Sequence, residues 1–233
     1  GLGTGKTCSA ISVSEEMRDY LNQMGIAQRI IVVASPNVQD NFKLQLFDDR
    51  KLRLVDGLWN IKTCTGNKFL KEINPMNMKG LSKERVISQI KSIIRSSYLF
   101  LGYTEFANFI SKKSTIGSDI KGPKRRAAII KTKLKRYFNN RLIIIDEVHN
   151  IRITDDNKDK RVATELFKLV EAVDNLRLLF LSATPLYNSY KEVVWLVNIM
   201  NLNDKRPMIE VKDVFDKDGD FKTSDTGEPI GKD

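Results

Sequence analysis

The chain has 233 residues, of which 41% are hydrophobic and 29% charged, a composition that places it among ordinary globular proteins and suits one large α/β domain with a full core. No apolar run approaches the ~18 residues of a membrane span, and Cys8 and Cys64 are too few and too far apart to suggest a disulfide framework or a zinc cluster, so a reducing, intracellular setting is expected. The net charge of +10 and pI near 9.5 suit a polyanionic partner such as nucleic acid, although a generic basic surface would give the same balance.

Residues 1–7, GLGTGKT, hold the Gly-Lys-Thr of a phosphate-binding loop behind a glycine-rich run, so the chain begins inside a motif and leaves no place for a signal peptide. Gly3 and Gly5 lack Cβ atoms and let Thr4, Gly5, Lys6, Thr7 and Cys8 turn backbone amides onto phosphate oxygens. Lys6 is placed to reach the β/γ-phosphates and the Thr7 hydroxyl to ligate Mg²⁺. A plain glycine turn is the bland alternative, and GxGxG is not the spacing of a dinucleotide fold. Ala10, Val13, Met17, Tyr20, Leu21 and Met24 then recur at three- and four-residue steps and predict a helix stopped by Gly25.

Residues 29–35, RIIVVAS, read as a buried strand, and Val38, Phe42, Leu46 and Phe47 as the helix that follows Pro36. A short strand is expected over 61–65, ending at Gly66-Asn67, and a surface connection over 74–81. Ser82 can cap a helix whose apolar stripe is Val86, Ile87, Ile90, Ile93 and Ile94. It leads into a strand over 98–101 that closes on Gly102-Tyr103-Thr104. Residues 112–124 read as a loop. Pro123 opens a helix with Ala127, Ile130, Leu134 and Tyr137 on one face. Nine lysines and arginines lie between Lys121 and Arg141 with no acid among them, a pattern that solvated helix faces also show.

Residues 141–150, RLIIIDEVHN, are the centre of the chain. Four bulky apolar residues predict a strand covered on both faces, and Asp146 and Glu147 fall at its carboxyl end, where open α/β sheets bind ligands. Adjacent acids there suggest a metal, a base or both, although an acidic pair also begins many solvated loops. The lone His149 has no second ligand type near it in sequence and is no zinc ligand. Beyond a charged loop at 155–160, Val162, Leu166, Leu169, Val170 and Val173 mark a helix, 178–181 a strand ending in Ser182-Ala183-Thr184-Pro185, and Ser189 with Glu192 a capping box for a helix to Met200. The alternation predicts a mostly parallel sheet with helices on both faces. The cluster DKDGD at 216–220 lacks the glycine and glutamate of a calcium loop, and 204–233 reads as a polar tail or the start of an inserted segment.

In this order the motifs resemble the first motor domain of superfamily-two DExH helicases and DNA translocases: 3–7 resembles motif I, 146–149 motif II, and 182–184 motif III. More narrowly, DEVHNIR at 146–152 and ASPNVQDNF at 34–42 are similar to the helicase-like ATPases of nucleocytoplasmic large DNA viruses, which include the poxvirus early transcription factor small subunit and nucleoside triphosphate phosphohydrolase. The resemblance implies a RecA-like P-loop domain over 1–203, lacking its first strand, that uses ATP and Mg²⁺. It implies Lys6 and Glu147 as catalytic groups, with Thr7 and Asp146 on the metal. His149, Ser182, Ala183 and Thr184 would couple nucleotide state to movement. Ser35, Pro36, Asn37, Gly66 and Thr104 would face nucleic acid, DNA in preference to RNA, by contacts that position a strand without reading it. Implied partners are a second motor domain bearing the arginine finger and transcription machinery, in a virion or host cytoplasm, with the fragment alone nearly inactive. A regulatory nucleotide switch, a docking subunit, and the helicase subunit of a restriction complex are the alternatives.

Overall fold

The computed structural model describes residues 4–147 and 157–181, with side chains over 5–147 and 161–181. In chain order the elements are α1 (Thr4–Gln23), β1 (Ile30–Val33), α2 (Pro36–Leu46), a 3-10 turn (Asp49–Lys51), β2 (Arg53–Val55), β3 (Leu58–Asn60), α3 (Lys68–Ile73), α4 (Lys83–Ser97) and β4 (Tyr98–Leu101). There follow α5 (Tyr103–Ser114), α6 (Pro123–Phe138), β5 (Leu142–Asp146), α7 (Asn157–Ala172) and β6 (Arg177–Leu181).

Four strands make one parallel sheet in the order β4-β1-β5-β6. Every residue of β1 and β5 is buried, as their unbroken apolar sequences require of central strands. The sheet and its connecting helices form an α/β fold of the RecA-like kind. The register aligns Val33 with Leu101 on one side and Ile145 on the other, and Asp146 with Leu181, so the carboxyl ends of all four strands share one edge.

The described residues divide into two compact units, the first holding 4–103, 140–146 and 177–181, the second 104–139, 147 and 157–176. In the first, Ile11, Leu21, Phe42, Leu46, Ile90, Tyr98 and Ile144 belong to one buried cluster with α1 against α2 and β5, and α4 against α3 and β4. In the second, α6 packs on α7, with Leu134, Phe138, Leu166 and Leu169 buried and the Phe109 and Phe138 rings edge to face at 5.7 Å.

Several caps follow the sequence. Ser82 Oγ accepts from Arg85 N, Pro123 opens α6, and Gly25 ends the α1 region at φ 67°. Elsewhere the expectation is corrected. Residues 61–65 are not a strand, because Asn67 accepts from Ile61 N and Thr65 donates to Leu46 O, which fold the segment into a turn. The strands nearby are the hairpin β2–β3, turned by Asp56 and Gly57 at φ 51° and 80°, the type I′ signature of Asp-Gly. Helix α5 runs to Ser114 into the expected loop at 112–124, and α7 starts at Asn157 inside the expected loop at 155–160. The helix predicted at 189–200 and the tail at 204–233 lie outside the described residues.

The buried face of α1 is also not the expected one. Val13, Tyr20 and Met24 are exposed, whereas Ser14, Glu15 and Arg18 are buried beside Ala10, Ile11, Met17 and Leu21. These polar groups satisfy one another, which is what makes their burial tolerable. The Arg18 guanidinium donates to both carboxylate oxygens of Glu15 and reaches Glu72 on α3 at 2.7 and 2.8 Å. Lys68 Nζ lies 2.9 Å from Glu15, and Tyr98 OH on β4 donates to the same carboxylate at 2.5 Å.

The two cysteines, unpaired by any spacing rule, form a disulfide between α1 and the turn at 63–66. Their Cα atoms are 5.2 Å apart, within the range such a bond requires. The expectation of two reduced thiols is therefore corrected: 56 positions of intervening chain return Cys64 to the first turns of α1. Reduction, or Cys64→Ser, is expected to lower stability by about 2–4 kcal/mol through the entropy restored to the unfolded chain. Urea midpoints measured with and without reductant test this, and coincident midpoints would show that the bond does not form.

Candidate nucleotide site and nucleic-acid edge

The first turns of α1 expose Gly5 and Lys6 and bury Thr7 completely. Among the described residues Thr7 Oγ1 has no hydrogen-bond partner, and a buried hydroxyl left so costs about 1–3 kcal/mol. A hydroxyl side chain on a helix can return its hydrogen to a carbonyl one turn back, as Ser9 does to Gly5 O at 2.9 Å; for Thr7 that carbonyl is Gly3's, outside the described residues. Hard oxygen ligands of this kind, a hydroxyl and a carboxylate, suit Mg²⁺. The chain's own donor set therefore fits the ion that the resemblance implies.

A Cβ added at Gly5 would meet no protein atom within 4 Å. Packing therefore does not demand glycine there, and the open space beside the backbone is what a phosphate would occupy. Gly5→Ala is expected to raise stability by about 0.4–1 kcal/mol, since alanine restricts the unfolded chain and favours the helix, while weakening ATP binding. Thermal melts without nucleotide and titration with a fluorescent ATP analogue read the two effects separately; unchanged nucleotide affinity would exclude close backbone approach at this position.

At the other pole of the proposed site, β5 delivers Asp146 to its carboxyl end, 2% exposed and opposite Leu181 in the register. α1 packs against β5. Tyr103, two residues beyond β4, donates its hydroxyl to the Asp146 carbonyl oxygen at 2.7 Å. The sequence places Tyr103 at the close of the strand over 98–101 and assigns it no role of its own. The bond ties the turn after β4 to the acidic strand end.

Glu147 has φ 49°. Of the described non-glycine residues with positive φ, Asp56, Asn77, Asn140 and Asn175 are Asn or Asp, whose short side chains tolerate that region; Glu147 has no such excuse. Backbone held in this way at the end of a central strand is characteristic of residues whose direction matters for function.

The parallel topology carries Ser35, just beyond β1, to the same edge. Ser35 follows β1 as the N-cap of α2, yet its side chain makes no capping bond, and Ser35, Pro36 and Asn37 are all exposed. Gln39 instead donates to Ala34 O at 2.8 Å, holding the first turn of α2 to the end of β1. Gly66 lies in the 63–66 turn at φ 54° with open space beside it, and Thr104 is exposed in the first turn of α5. Thr4 starts α1, and Cys8 is engaged through its sulfur with Cys64, which leaves its backbone amide as its means of meeting a phosphate. Gly3, His149, Ser182, Ala183 and Thr184 lie outside the described residues. Among the described residues no helix is long and apolar enough to cross a membrane.

No protein-family profile matches the chain, and no solved structure matches it. Three curated relatives do. The chain is 24% identical over 213 residues to "Putative ATP-dependent RNA helicase L377" of Acanthamoeba polyphaga mimivirus, covering 86% of this chain and 17% of that protein. It is 23% identical over 206 residues to "Putative helicase 087L" of Invertebrate iridescent virus 3, covering 85% and 17%. A second mimivirus protein, "Putative ATP-dependent RNA helicase R563", is 24% identical over 215 residues, covering 89% and 29%. The chain thus spans less than a third of each relative. Over 85 to 89% of its own length, the chain is similar to viral proteins that carry helicase names.

Proposed function

We propose that this chain is the nucleotide-binding part of a nucleic-acid-dependent ATPase of the DExH helicase or translocase type, and that it moves along DNA at the expense of ATP. The observation that carries this reading is the buried Thr7 hydroxyl, unpartnered among the described residues and directly after the exposed Lys6, on a helix packed against the strand that ends in Asp146 and is followed by Glu147. The helicase names of the relatives support it.

Thr7 and Asp146 would hold Mg²⁺, which neutralises charge on the β- and γ-phosphates when bound. Lys6, exposed at the start of α1, neutralises the same phosphates from the protein side, and the amides of 4–8 receive their oxygens. Glu147 orients the attacking water and accepts its proton. Its left-handed backbone turns the carboxylate away from the course of the strand that Asp146 completes. Ser35, Asn37, Gly66 and Thr104 contact phosphodiester oxygens, which fix a strand in place irrespective of its sequence. His149, Ser182, Ala183 and Thr184 relay nucleotide state, and a second motor domain of the intact protein supplies the arginine finger. A role in viral transcription, like that of the poxvirus-type ATPases, is the setting we favour.

The test is phosphate release from the intact protein with ATP and Mg²⁺, with and without single- or double-stranded DNA and RNA. Stimulation at least tenfold by DNA is expected. Slow turnover indifferent to every nucleic acid would instead identify a regulatory switch and overturn the proposal.

A further inference from the structure

Eight of the nine cations between 121 and 141, Arg136 apart, sort into two sets. Arg126 donates to the carbonyls of Gly117 and Ile120, Lys133 to that of Thr115, Lys135 pairs with Asp174 at 3.0 Å, and Arg141 is buried with its Nε on Arg29 O. Those cations hold the fold together. Lys121, Lys124, Arg125 and Lys131 do not: all four are exposed, and none has a hydrogen bond, ion pair or ring contact among the described residues.

Helical spacing puts Lys124, Arg125, Ala128, Lys131 and Thr132 on one face of α6, and Lys121 just precedes it. The face carries no acid and no aromatic ring, and its gaps are filled by the small, exposed Ala127, Ala128 and Thr132. Its charges also run against what the helix alone would favour. Three of the four cations sit at the positive, amino-terminal end of α6, whose first turn holds no acid. A local rule broken without a partner among the described residues points to a surface whose partner comes from outside.

We infer that this face of α6 is a docking surface for the phosphate backbone of duplex nucleic acid, separate from the strand-end contacts above. The inference deepens the proposed function and rests on it for the identity of the polyanion. From Lys124 to Lys131 the helix advances about 10 Å, a distance over which duplex DNA presents several phosphates. Short side chains between the cations let the helix backbone approach a broad, regular surface. The absence of aromatic rings removes the stacking platform that unpaired bases need, so the face suits a duplex above a single strand.

The experiment measures binding of a labelled 20-base-pair duplex and of a 20-nucleotide single strand by anisotropy, using the intact protein from 50 to 200 mM salt. The wild type is compared with the triple variant Lys124→Ala, Arg125→Ala, Lys131→Ala. Removing three phosphate contacts is expected to lower the slope of log affinity against log salt by about 2.7 for the duplex, so the wild type loses about 40-fold more affinity than the variant across that range. Single-strand binding and DNA-free ATP turnover stay as in the wild type, and the charge-preserving Lys124→Arg, Lys131→Arg variant keeps the wild-type slope. Equal duplex slopes for wild type and triple variant overturn the inference. So does loss of affinity for a poly-glutamate peptide with duplex binding intact, which would assign the face to an acidic protein. A slope change in a protein whose turnover DNA does not stimulate would sink the motor reading and leave this surface standing.

Discussion

Replacing Glu147 by Gln is expected to cut ATP turnover in the intact protein by about 10²- to 10⁴-fold, the range a positioned general base contributes, while nucleotide affinity stays within about twofold. The separation follows from geometry. On the proposed reading Asp146, buried at the end of β5, holds the metal, whereas Glu147, one residue beyond the strand and in a left-handed backbone conformation, holds the attacking water. Glutamine keeps the size and one accepting oxygen but loses the negative charge and the capacity to take a proton. Phosphate release and fluorescent-nucleotide titration on the same preparation decide the matter. Wild-type turnover in the variant would remove Glu147 from the chemistry, and a large loss of affinity would place it on the metal instead. Asp146→Asn should show the converse, with nucleotide affinity falling most at limiting Mg²⁺.

What the sequence made legible here was set by whether the determining interactions are local. β1 and most of β5 are continuous apolar runs buried along their length, and β4 and residues 178–181 of β6 are apolar runs that are only partly buried; such runs have few other options, so all four strands could be read directly. The proposed phosphate loop and acid pair stand out in the sequence because the chemistry of phosphate and Mg²⁺ would restrict the residue types to these. The hairpin β2–β3 carried a local signal in Asp56-Gly57 that went unread, and α3 is too short for a periodic pattern. Other features depend on distant partners and had no local signature. Glu147's φ, the Tyr103 to Asp146 bond across 43 positions and the Cys8 to Cys64 bond all arise from how separate segments meet. The face of α1 was misjudged for the same reason. Periodicity counts apolar side chains, and it cannot see that Glu15 and Arg18 become acceptable in the interior once Glu72, Lys68 and Tyr98 arrive from elsewhere.

That buried cluster makes the second large effect. Arg18→Ala is expected to destabilise the protein by about 3 kcal/mol, the lower end of what breaking a buried ion pair costs. The side chains of Arg18 and Glu15 are only 5% and 6% exposed, so removing the guanidinium strands a carboxylate away from water. Lys68 remains as a partner and Glu72, 37% exposed, can turn to solvent, which keeps the loss from being larger. Burial works to raise the Glu15 carboxyl, but Arg18, Tyr98 and Lys68 outweigh it and hold the group below its ordinary 4.5. A depressed carboxylate stabilises the fold above its unfolded value and loses that contribution as pH falls through the folded one. The gap between wild type and Arg18→Ala should therefore be widest near neutrality and close progressively below about pH 4.5. Replacing both charges, with Glu15→Gln and Arg18→Met, should recover much of the loss at pH 7, because neither partner is then left uncompensated. Urea unfolding at pH 7 and pH 4 measures all three. An Arg18→Ala variant within 1 kcal/mol of wild type at pH 7 would mean that the cluster does not bind α1 to α3 and β4. On the proposed reading the effect would also reach function: the first turn of α1 holds Gly5, Lys6 and Thr7, and a helix loosened at Arg18 would present that turn to phosphate in many orientations instead of one.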